Sequence, residues 1–415
     1  MSEHFDTLET RDPEARERAI AAALRAQVAY AKAHAPAYAS LLAGVDAGEV
    51  DSRAALARLP VVRKSELVGL QAQALPFGGY AASGWGSAPR RARLAFASPG
   101  PLYEPEGHDP DYWRLARALF AAGFRAGDLV HNCFSYHMTP GGAMLESGAL
   151  ALGCTVFRGG VGQTEQQLQA MLALRPDAYT GTPSFLRILL EKADEQGIAL
   201  GGLTKALVSG EAFPPSARDA LRSRGIDAFQ VYATADVGSI AYESPAREGL
   251  IVDEGVLVEI VRPGTGDPVA AGEVGEVVVT PLANADYPLL RFGTGDLSAV
   301  MPGPSPCGRS NTRIRGWLGR ADQSAKIKGM FVHPAHVAEI VRRHPAIARA
   351  RLVIDNPGGV DRMTLQLEPR DGAPDAEAIA ATMREVTKLR GEVETRAAGS
   401  LANDGKVIDD QRRYS

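Results

Sequence analysis

Short apolar runs alternate with segments of helical periodicity through the middle of the chain. Runs of strand length lie at Leu129–Phe134, Cys154–Phe157, Ala178–Thr180, Lys205–Ser209 and Ala228–Tyr232. Between them, apolar residues recur at helical spacing in Glu165–Leu174, Ser184–Glu195 and Pro215–Arg224. Strands that alternate with amphipathic helices in this way predict a parallel sheet covered by helices on its faces.

A binding site is expected at the carboxyl ends of the predicted strands, because open parallel sheets bind their ligands at that edge. Four segments follow strands in this way: those ending at Ser135, at Thr180–Ser184, at Ser209–Glu211 and at Tyr232–Asp236. We expect the polar side chains of these segments to lie close together.

The pattern changes after Leu250 and again after Gly319. Leu257–Val261 and Glu276–Thr280 flank a turn-rich spacer and predict an antiparallel hairpin. Beyond Gly319 a mixture of predicted strands and helices forms a block of domain size. We therefore expect an α/β fold with three parts: a large domain over residues 1–318 with doubly wound parallel sheets and a β-rich subdomain, a hinge at 319–322, and a small mobile α+β domain over 323–415.

Two segments of the N-terminal part have their own signatures. Asp12 and Pro13 precede an Ala/Arg/Glu-rich run to His34, which predicts a helix with Asp12 at the N-cap and Pro13 in the first turn. The segment Pro76–Pro105 is rich in Gly, Ala, Ser and Pro and lacks periodicity, so it is expected to be a loop region.

Composition narrows the class of protein. The 415 residues carry a formal net charge of −4, which gives no reason to expect nucleic acid or an anionic membrane as a partner. No apolar run approaches the length of a membrane-spanning helix, and the start of the chain does not read as a signal peptide. Three cysteines fit reduced thiols in a cytoplasmic protein. A homodimer is the commonest default assembly.

The segment Ser209-Gly210-Glu211 is the first of five polar clusters. A small turn that contains glycine lets a ligand approach the backbone closely. The alternative is an ordinary helix entry capped by Ser209 or Glu211, and spacing alone favours that alternative.

The second cluster is Tyr232-Ala233-Thr234-Ala235-Asp236. A tyrosine at a strand end can stack on a purine, and an aspartate four residues later can bind a hard cation such as Mg²⁺. The alternative is a strand-edge tyrosine followed by a turn that begins at the aspartate. The residues do not choose between the two.

Three further clusters lie towards the C-terminus. Asp296, flanked by glycines on a predicted tight turn, could accept hydrogen bonds from a ribose diol, or could belong to an ordinary turn. Arg320 and Asp322, followed by Lys326, Lys328 and Gly329, stand at the predicted hinge, or form a solvated basic linker. Lys406 follows Asp-Gly, a pattern that is usually a surface turn.

Taken in this order, the five clusters resemble the adenylate-forming superfamily of acyl-CoA synthetases, adenylation domains and luciferases, and most of all its phenylacetate–CoA ligase branch. The resemblance covers most of the chain. It includes Arg63–Leu67, Thr139–Gly142 and Gly181–Ser184, and it ends at Asp404–Asp409.

The resemblance implies that a small carboxylic acid attacks ATP to give an acyl-adenylate, and that CoA then takes the acyl group as a thioester. It places Tyr232 on adenine, Asp236 on Mg²⁺ and Asp296 on the ribose, with Arg320 close by. Lys406 would bridge the carboxylate and the α-phosphate. The resemblance also implies contacts to the nucleotide and CoA from Ser209, Gly210, Glu211, Ala233, Thr234, Lys328 and Gly329. The acid pocket is expected to be lined by Phe134, Tyr136, His137 and Ala235. A structural role is nevertheless the first expectation for His137.

The chain also departs from the family pattern. The family grips phosphate with a Ser/Thr/Gly loop that closes with lysine, whereas Ser98–Gly107 contains three prolines and Glu104 and Glu106 but no lysine. Prolines lack the N–H donors that hold phosphate oxygens, and the carboxylates would repel the triphosphate. Ser244 and Ile251 stand where zinc ligands are expected in some members, so no zinc is expected.

Three functions therefore remain open. The first is ATP-dependent activation of a small, aromatic or apolar acid to its CoA thioester. The second is a related acyltransferase or thioester-forming enzyme that adenylates weakly. The third is a non-catalytic regulator that binds a nucleotide or an acyl-CoA.

Overall fold

The computed structural model describes residues 3–321, 325–328, 330–332, 334–370, 372, 374–402 and 406–412. The chain divides into two compact units, Met1–Gly319 and Arg320–Ser415. No helix in the described ranges combines the length and the apolar character needed to cross a bilayer.

The first unit contains α-helices, short 3-10 helices and strands in the order of the sequence. The helices are α1 (Pro13–His34), α2 (Pro36–Leu41), α3 (Arg53–Leu56), α4 (Lys64–Gln73), α5 (Ala116–Ala121), α6 (Gly141–Ala151), α7 (Thr164–Leu174), α8 (Pro183–Glu195) and α9 (Pro215–Arg222), with 3-10 turns at Thr7–Thr10 and Ala47–Glu49. The strands are β1 (Val62–Arg63), β2 (Ser83–Gly84), β3 (Arg90–Arg91), β4 (Leu94–Ser98), β5 (Leu102–Glu106), β6 (Leu129–Asn132), β7 (Thr155–Arg158), β8 (Ala178–Gly181), β9 (Lys205–Val208), β10 (Asp227–Thr234), β11 (Gly238–Glu243), β12 (Leu250–Val252), β13 (Val256–Val261), β14 (Gly275–Pro281), β15 (Phe292–Ser298), β16 (Val300–Met301), β17 (Arg313–Ile314) and, at the boundary, β18 (Gly319–Arg320).

The largest sheet runs in the order β16-β17-β12-β11-β10-β9-β8-β6-β7. Its half from β7 to β10 is parallel, as the alternation of strands and helices predicts. The half from β10 to β16 is antiparallel. The change occurs where β10 meets β11, because the connection at residues 235–237 is too short for a crossover helix. The α/β fold class is confirmed, with a mixed sheet in place of a purely parallel one.

A second sheet has the order β1-β15-β14-β13. The predicted hairpin is confirmed, since β13 and β14 pair antiparallel from Val256 opposite Pro281 to Val261 opposite Glu276. The predicted start of α1 is also confirmed, because Asp12 accepts a hydrogen bond from the Ala15 N–H and Pro13 is the first helical residue. Apolar residues of α1 and of this sheet share one buried cluster, which fixes the N-terminal helix against the β-rich part.

The expectation of a loop region over Pro76–Pro105 is wrong at the short β2–β3 pairing and from Leu94 onward. β4 and β5 form an antiparallel hairpin, from Leu94 opposite Glu106 to Ser98 opposite Leu102. Each proline stands where a missing N–H is tolerated, in the turn or at a two-stranded edge. Composition therefore concealed the hairpin, because Pro and Gly usually signal loops.

The second unit has its own small core. Its elements are β19 (Ala325–Ile327), β20 (Met330–Val332), α10 (Pro334–Arg343), β21 (Ile347–Asp355), β22 (Arg362–Pro369), α11 (Ala376–Thr387), β23 (Glu392–Thr395) and β24 (Ile408–Asp410), with a 3-10 turn at Pro357–Gly359. The sheet has the order β23-β22-β21-β24. Its buried apolar residues join those of α10 and α11 in one cluster. Asp322, the last residue of the predicted hinge, lies outside the described residues, and the role of that hinge stays a prediction.

Candidate functional site

The carboxyl ends of β6, β8, β9 and β10 meet at one edge of the large sheet, as expected for neighbouring parallel strands. Direct hydrogen bonds join the segments that follow them. The Ser209 hydroxyl donates to the Val231 carbonyl at 2.7 Å, and the Cys133 N–H donates to the Thr180 carbonyl at 2.7 Å. The structure therefore brings together the segments that the sequence singled out.

The alternative role of Ser209 or Glu211 as a cap of the helix that follows them is wrong. Helix α9 has Pro214 at its N-cap and no side-chain cap. Glu211 instead accepts a hydrogen bond from the Ser184 N–H at 3.4 Å, at the start of α8. Gly210 has φ +82°, a conformation that suits glycine. The turn after β9 is therefore shaped by contacts to its neighbours in the sheet.

The loop after β6 carries most of the expected acid-binding residues. Asn132 holds it in place, because its side-chain amide donates to the Tyr136 hydroxyl at 2.7 Å and to the Gly142 carbonyl at 2.9 Å. A Cβ on Gly142 would lie only 2.8 Å from the Ser135 carbonyl and the Tyr136 ring, so close packing requires glycine there. The loop is thus a built feature of this edge.

The expected acid-binding residues differ in exposure. Phe134 is half-buried, whereas Tyr136 and His137 are exposed. The described hydrogen bonds of His137 with Ser135 come from its backbone, and a structural role for its side chain stays a prediction. Ala235 is half-buried in the β10–β11 turn.

Tyr232 and Asp296 lie in direct contact although they come from different sheets. The Tyr232 hydroxyl donates to Asp296 Oδ2 at 2.9 Å and lies 3.2 Å from Thr294 Oγ1. The Trp317 indole N–H donates to Asp296 Oδ1 at 3.1 Å. Both carboxylate oxygens of Asp296 thus accept a hydrogen bond from an aromatic side chain.

Asp296 does not lie in a tight turn, as its glycine neighbours suggested, but within β15. The glycines serve the strand in another way. Gly295 has φ +74°, and the pairing of β14 with β15 shifts register between Glu276 and Val278. A bulge of this kind redirects side chains, which explains how a strand residue can face the tyrosine of another sheet.

Asp236 lies in the turn between β10 and β11, yet it is not a solvated turn residue. Its side chain is completely buried and pairs with Lys64, with 2.6 Å between Nζ and Oδ2. The second oxygen, Oδ1, is buried and has no hydrogen-bond partner among the described residues. A carboxylate oxygen is a suitable ligand for a hard cation, so the residues present fit Mg²⁺.

Local pairing explains why Lys64 reaches Asp236. Strand β1 pairs parallel to β15, with Val62 opposite Phe292 and Arg63 opposite Gly293. Lys64 follows directly as the first residue of α4. The chain therefore leaves β1 near the strand that carries Asp296, and the lysine extends to the turn that carries Asp236.

The hairpin β4–β5 contributes a second buried carboxylate. The Ser98 hydroxyl donates to Glu104 Oε1, whereas Glu104 Oε2 is buried and without a hydrogen-bond partner among the described residues. Burial raises the pKa of Glu104 to about 8, and the negative charge of Asp236 adds to the rise. Glu106 differs, since it accepts a hydrogen bond from the Trp113 indole at 2.7 Å.

The remaining expected residues belong to the second unit or the boundary. Lys406 lies 3.4 Å from Asp409 Oδ1 and its side chain is about half exposed. Lys328 is exposed, with φ +46°, after β19. Arg320 ends β18. Gly329 lies outside the described residues, as do Asp404 and Gly405.

Two residues at this site were missed by reasoning from sequence. Lys64 stood in a segment that resembled the family, but without a role, since nothing in its neighbourhood marks it as a partner of Asp236. Trp317 lies two residues before Gly319 and carries a donor that needs a partner when the indole is partly buried. Its position beside a predicted hinge was the only available signal.

The positions expected for zinc ligands lie in another part of the first unit. Cys307 Sγ lies 3.3 Å from the Ser244 hydroxyl and 3.0 Å from the Ser305 hydroxyl. Burial raises the pKa of the Cys307 thiol, but these hydrogen bonds outweigh it and hold the pKa below its ordinary value. Ser244, at one of the positions where some family members are expected to have a zinc ligand, thus shares a hydrogen bond with Cys307.

Comparison with known proteins identifies the family. Residues 112–282 match the AMP-binding enzyme family. The chain is 32% identical to the phenylacetate–coenzyme A ligase of Aromatoleum evansii over 341 residues. That alignment covers 78% of this chain and 74% of the ligase. It is 31% identical to the phenylacetate–coenzyme A ligase of Thermus thermophilus over 364 residues. That alignment covers 83% of this chain and 79% of the ligase.

The fold has solved counterparts. The crystal structure of 2-hydroxyisobutyryl-CoA ligase, in complex with 2-HIB-AMP and CoA, superposes with a TM-score of 0.82 and 24% identity over 100% of this chain and 93% of that one. The fold, the sequence relatives and the clustered residues agree. The chain belongs to the phenylacetate–coenzyme A ligase family of AMP-binding enzymes.

Proposed function

We propose that the protein activates a small aromatic or apolar carboxylic acid with ATP, through an acyl-adenylate, to its CoA thioester. The observation that supports this function best is the 2.9 Å hydrogen bond between Tyr232 and Asp296. It places an aromatic ring, which can stack on adenine, beside a carboxylate that can accept hydrogen bonds from ribose hydroxyls.

The other residues take roles that follow from their chemistry. The backbone of Ser209, Gly210 and Glu211 would line the adenine side, together with Ala233 and Thr234. Phe134, Tyr136, His137 and Ala235 would bound the acid, which is expected to be apolar because this group carries no formal charge apart from a titratable histidine.

Charge neutralisation is the main task at the phosphates. Asp236 would hold Mg²⁺ through its unpartnered Oδ1, and that ion would supply positive charge next to the phosphates. Lys406 would bring its ammonium group to the acid carboxylate and the α-phosphate. It would neutralise the negative charge that develops there as the bond between carboxylate and α-phosphate forms. Arg320 would assist at the ribose, and Lys328 and Gly329 would serve the CoA.

The experiment is a pyrophosphate-release assay with ATP, Mg²⁺ and a panel of aryl and short aliphatic acids, each with and without CoA. We expect acid-dependent pyrophosphate release and, with CoA, a thioester of the expected mass. A panel in which no acid raises pyrophosphate release above the acid-free rate would contradict the proposal. D296N is the matched variant, because it changes the group proposed to contact the ribose and nearly keeps the size of the side chain.

A second function is favoured by one observation, the hairpin that stands in place of the phosphate-gripping loop. Pro99, Pro101 and Pro105 offer it no N–H donors. An enzyme of this kind would form a thioester from a preformed acyl-adenylate or another activated acyl donor, but would adenylate poorly. Rapid thioester formation from synthetic acyl-AMP and CoA, combined with negligible pyrophosphate release from ATP and acid, would identify it.

A further inference from the structure

Two buried carboxylate oxygens near Lys64 have no partner among the described residues. They are Glu104 Oε2 and Asp236 Oδ1. Glu104 is 0% exposed and Asp236 is 2% exposed. The other oxygen of each is occupied, by the Ser98 hydroxyl and by the Lys64 ammonium group respectively. Buried polar atoms nearly always have partners, so each of these two oxygens is a candidate acceptor for a ligand.

The charges of this neighbourhood favour a cation. Both the Asp236 carboxylate and the Lys64 ammonium group act electrostatically on Glu104. An added positive charge next to these carboxyl groups would offset the cost of burying a second carboxylate. Tyr287 is a further titratable group here, since burial and then the charges of Asp236 and Glu104 raise the pKa of its hydroxyl.

Helix α4 fixes the hairpin next to Lys64. The Gln71 side chain accepts a hydrogen bond from the Tyr103 N–H at 2.8 Å and donates to the Tyr103 carbonyl at 2.9 Å. Glu104 is the next residue, and Lys64 begins the same helix. Helix α4 thus positions both Glu104 and Lys64, the partner of Asp236.

We infer that Glu104 and Asp236 together hold one divalent cation, which binds the phosphates of ATP in place of the lysine that the loop lacks. The inference rests on the proposed function, and it concerns Glu104, whose carboxylate was expected to repel the triphosphate. Mg²⁺ sites in nucleotide enzymes commonly use one or two carboxylates plus the phosphates themselves. Two protein ligands are therefore sufficient, which agrees with the lack of a larger ligand cluster among the described residues.

The test measures metal binding by the full-length protein, with Mn²⁺ as the probe and electron paramagnetic resonance as the readout. Titrations are made with and without the non-cleavable analogue α,β-methylene-ATP, and Mg²⁺ is used as a competitor. We expect the wild type to bind one Mn²⁺ in the presence of the analogue. E104Q should weaken that binding at least tenfold, and D236N should weaken it at least as much.

Glu106→Gln is the matched control. It removes a buried carboxylate from the same strand, but its amide oxygen can still accept the Trp113 hydrogen bond, so Mn²⁺ affinity should stay within twofold of the wild type. If E104Q does not fold, crystals of the wild type soaked with Mn²⁺ and the analogue replace it. An anomalous peak about 2.1 Å from a Glu104 oxygen would support the site.

The outcomes separate this inference from the proposed function. If E104Q binds Mn²⁺ as tightly as the wild type, or the anomalous peak touches Asp236 and not Glu104, the inference is overturned while ATP-dependent activation stands. If the wild type binds the analogue but no Mn²⁺, the inference is overturned as well. If the wild type does not bind the analogue in calorimetry, both proposals fail.

Discussion

Tyr232 and Asp296 are 64 residues apart in the chain, yet their side chains share a hydrogen bond. The tyrosine ring and the carboxylate would each contact a different part of one adenosine. The hydroxyl that joins them fixes the ring orientation before a ligand binds, because it is held by both Asp296 and Thr294. A preorganised contact of this kind lowers the cost of ordering the site on binding.

Replacement of Tyr232 tests this arrangement at the scale of one side chain. Y232F keeps the ring and loses the hydroxyl, so the Kd for AMP should rise about threefold to tenfold, which corresponds to roughly 1 kcal/mol. Y232A loses the stacking surface too, and stacking contributes about 1–3 kcal/mol. Isothermal titration calorimetry gives both values. Y103F, at an exposed tyrosine, is the control, and equal AMP affinity in Y232A and the wild type would contradict the adenine contact.

The β4–β5 hairpin lies where the resemblance to the family predicted a phosphate-gripping loop. Its paired strands use backbone groups for the ladder from Leu94 to Glu106. A flexible glycine-rich loop would instead leave those N–H groups free for phosphate. The hairpin therefore changes what the chain can offer a nucleotide: fewer backbone donors, and a buried side chain at Glu104.

The pKa of Glu104 makes the stability of this element depend on pH. Its pKa is about 8 in the folded protein against 4.5 for the ordinary side chain, so the folded state binds the proton more tightly between these values. The free energy of unfolding therefore falls as the pH rises from about 4.5 to about 8, by at most about 1.4 kcal/mol per pH unit. E104Q lacks this contribution to the pH dependence of the free energy of unfolding, because its amide does not ionise.

Urea unfolding of both proteins at pH 5 and pH 8, in the presence of EDTA, measures the difference. We expect E104Q to gain stability relative to the wild type on going from pH 5 to pH 8. Parallel pH profiles for the two proteins would show that Glu104 ionises normally in the fold.

Strand β15 is held in place by a buried arginine at its start. Arg291 is 2% exposed, and its Nε and Nη2 donate to the two carboxylate oxygens of Glu259 at 3.0 Å each. It also donates to the backbone carbonyls of Ala57 and Leu59. The arginine thus joins β13, the start of β15 and the segment before β1. Of these, β15 carries Asp296 and β1 leads into Lys64.

Arg291→Met should destabilise the first unit strongly, because it leaves Glu259 buried without a cation. A loss of about 3–5 kcal/mol is expected from the removal of one member of a buried pair. Urea unfolding followed by tryptophan fluorescence measures it. R187M breaks an exposed pair with Glu191 on α8 and should cost less than about 1 kcal/mol; similar losses in the two variants would contradict the anchoring role.

At the scale of the whole molecule, the chain consists of two units with separate cores. The proposed roles are divided between them: Tyr232, Asp236 and Asp296 belong to the first unit, and Lys406 belongs to the second. Such a division suits a two-step reaction, because one step can require a group that the other does not.

Lys406→Ala tests that division. Since the lysine is proposed to neutralise charge during attack on the α-phosphate, K406A should reduce acid-dependent pyrophosphate release by about 10²–10³-fold. Thioester formation from synthetic acyl-AMP and CoA should change less than threefold. K388A, at an exposed lysine of the same unit, is the control. Equal losses in both half-reactions would exclude a role confined to adenylation.

Much of the architecture followed from sequence pattern alone. The alternation of apolar runs and helices predicted the parallel half of the large sheet, and the start of α1 at Asp12 and Pro13 was predicted to the residue. These features are local: strand length, helical periodicity and capping depend on neighbours within a few residues. The order of five weak motifs was also sufficient to indicate the family, which the relatives confirm.

The tertiary structure decided which charges meet. No spacing in the sequence relates Lys64 to Asp236, 172 residues away, and the pair forms only because β1 lies beside β15. The same holds for Glu104, which was expected from the sequence to repel the triphosphate and which is fully buried in the fold. The physical reason is that hydrophobic periodicity determines which face of an element is buried, whereas ion pairs depend on how distant elements pack.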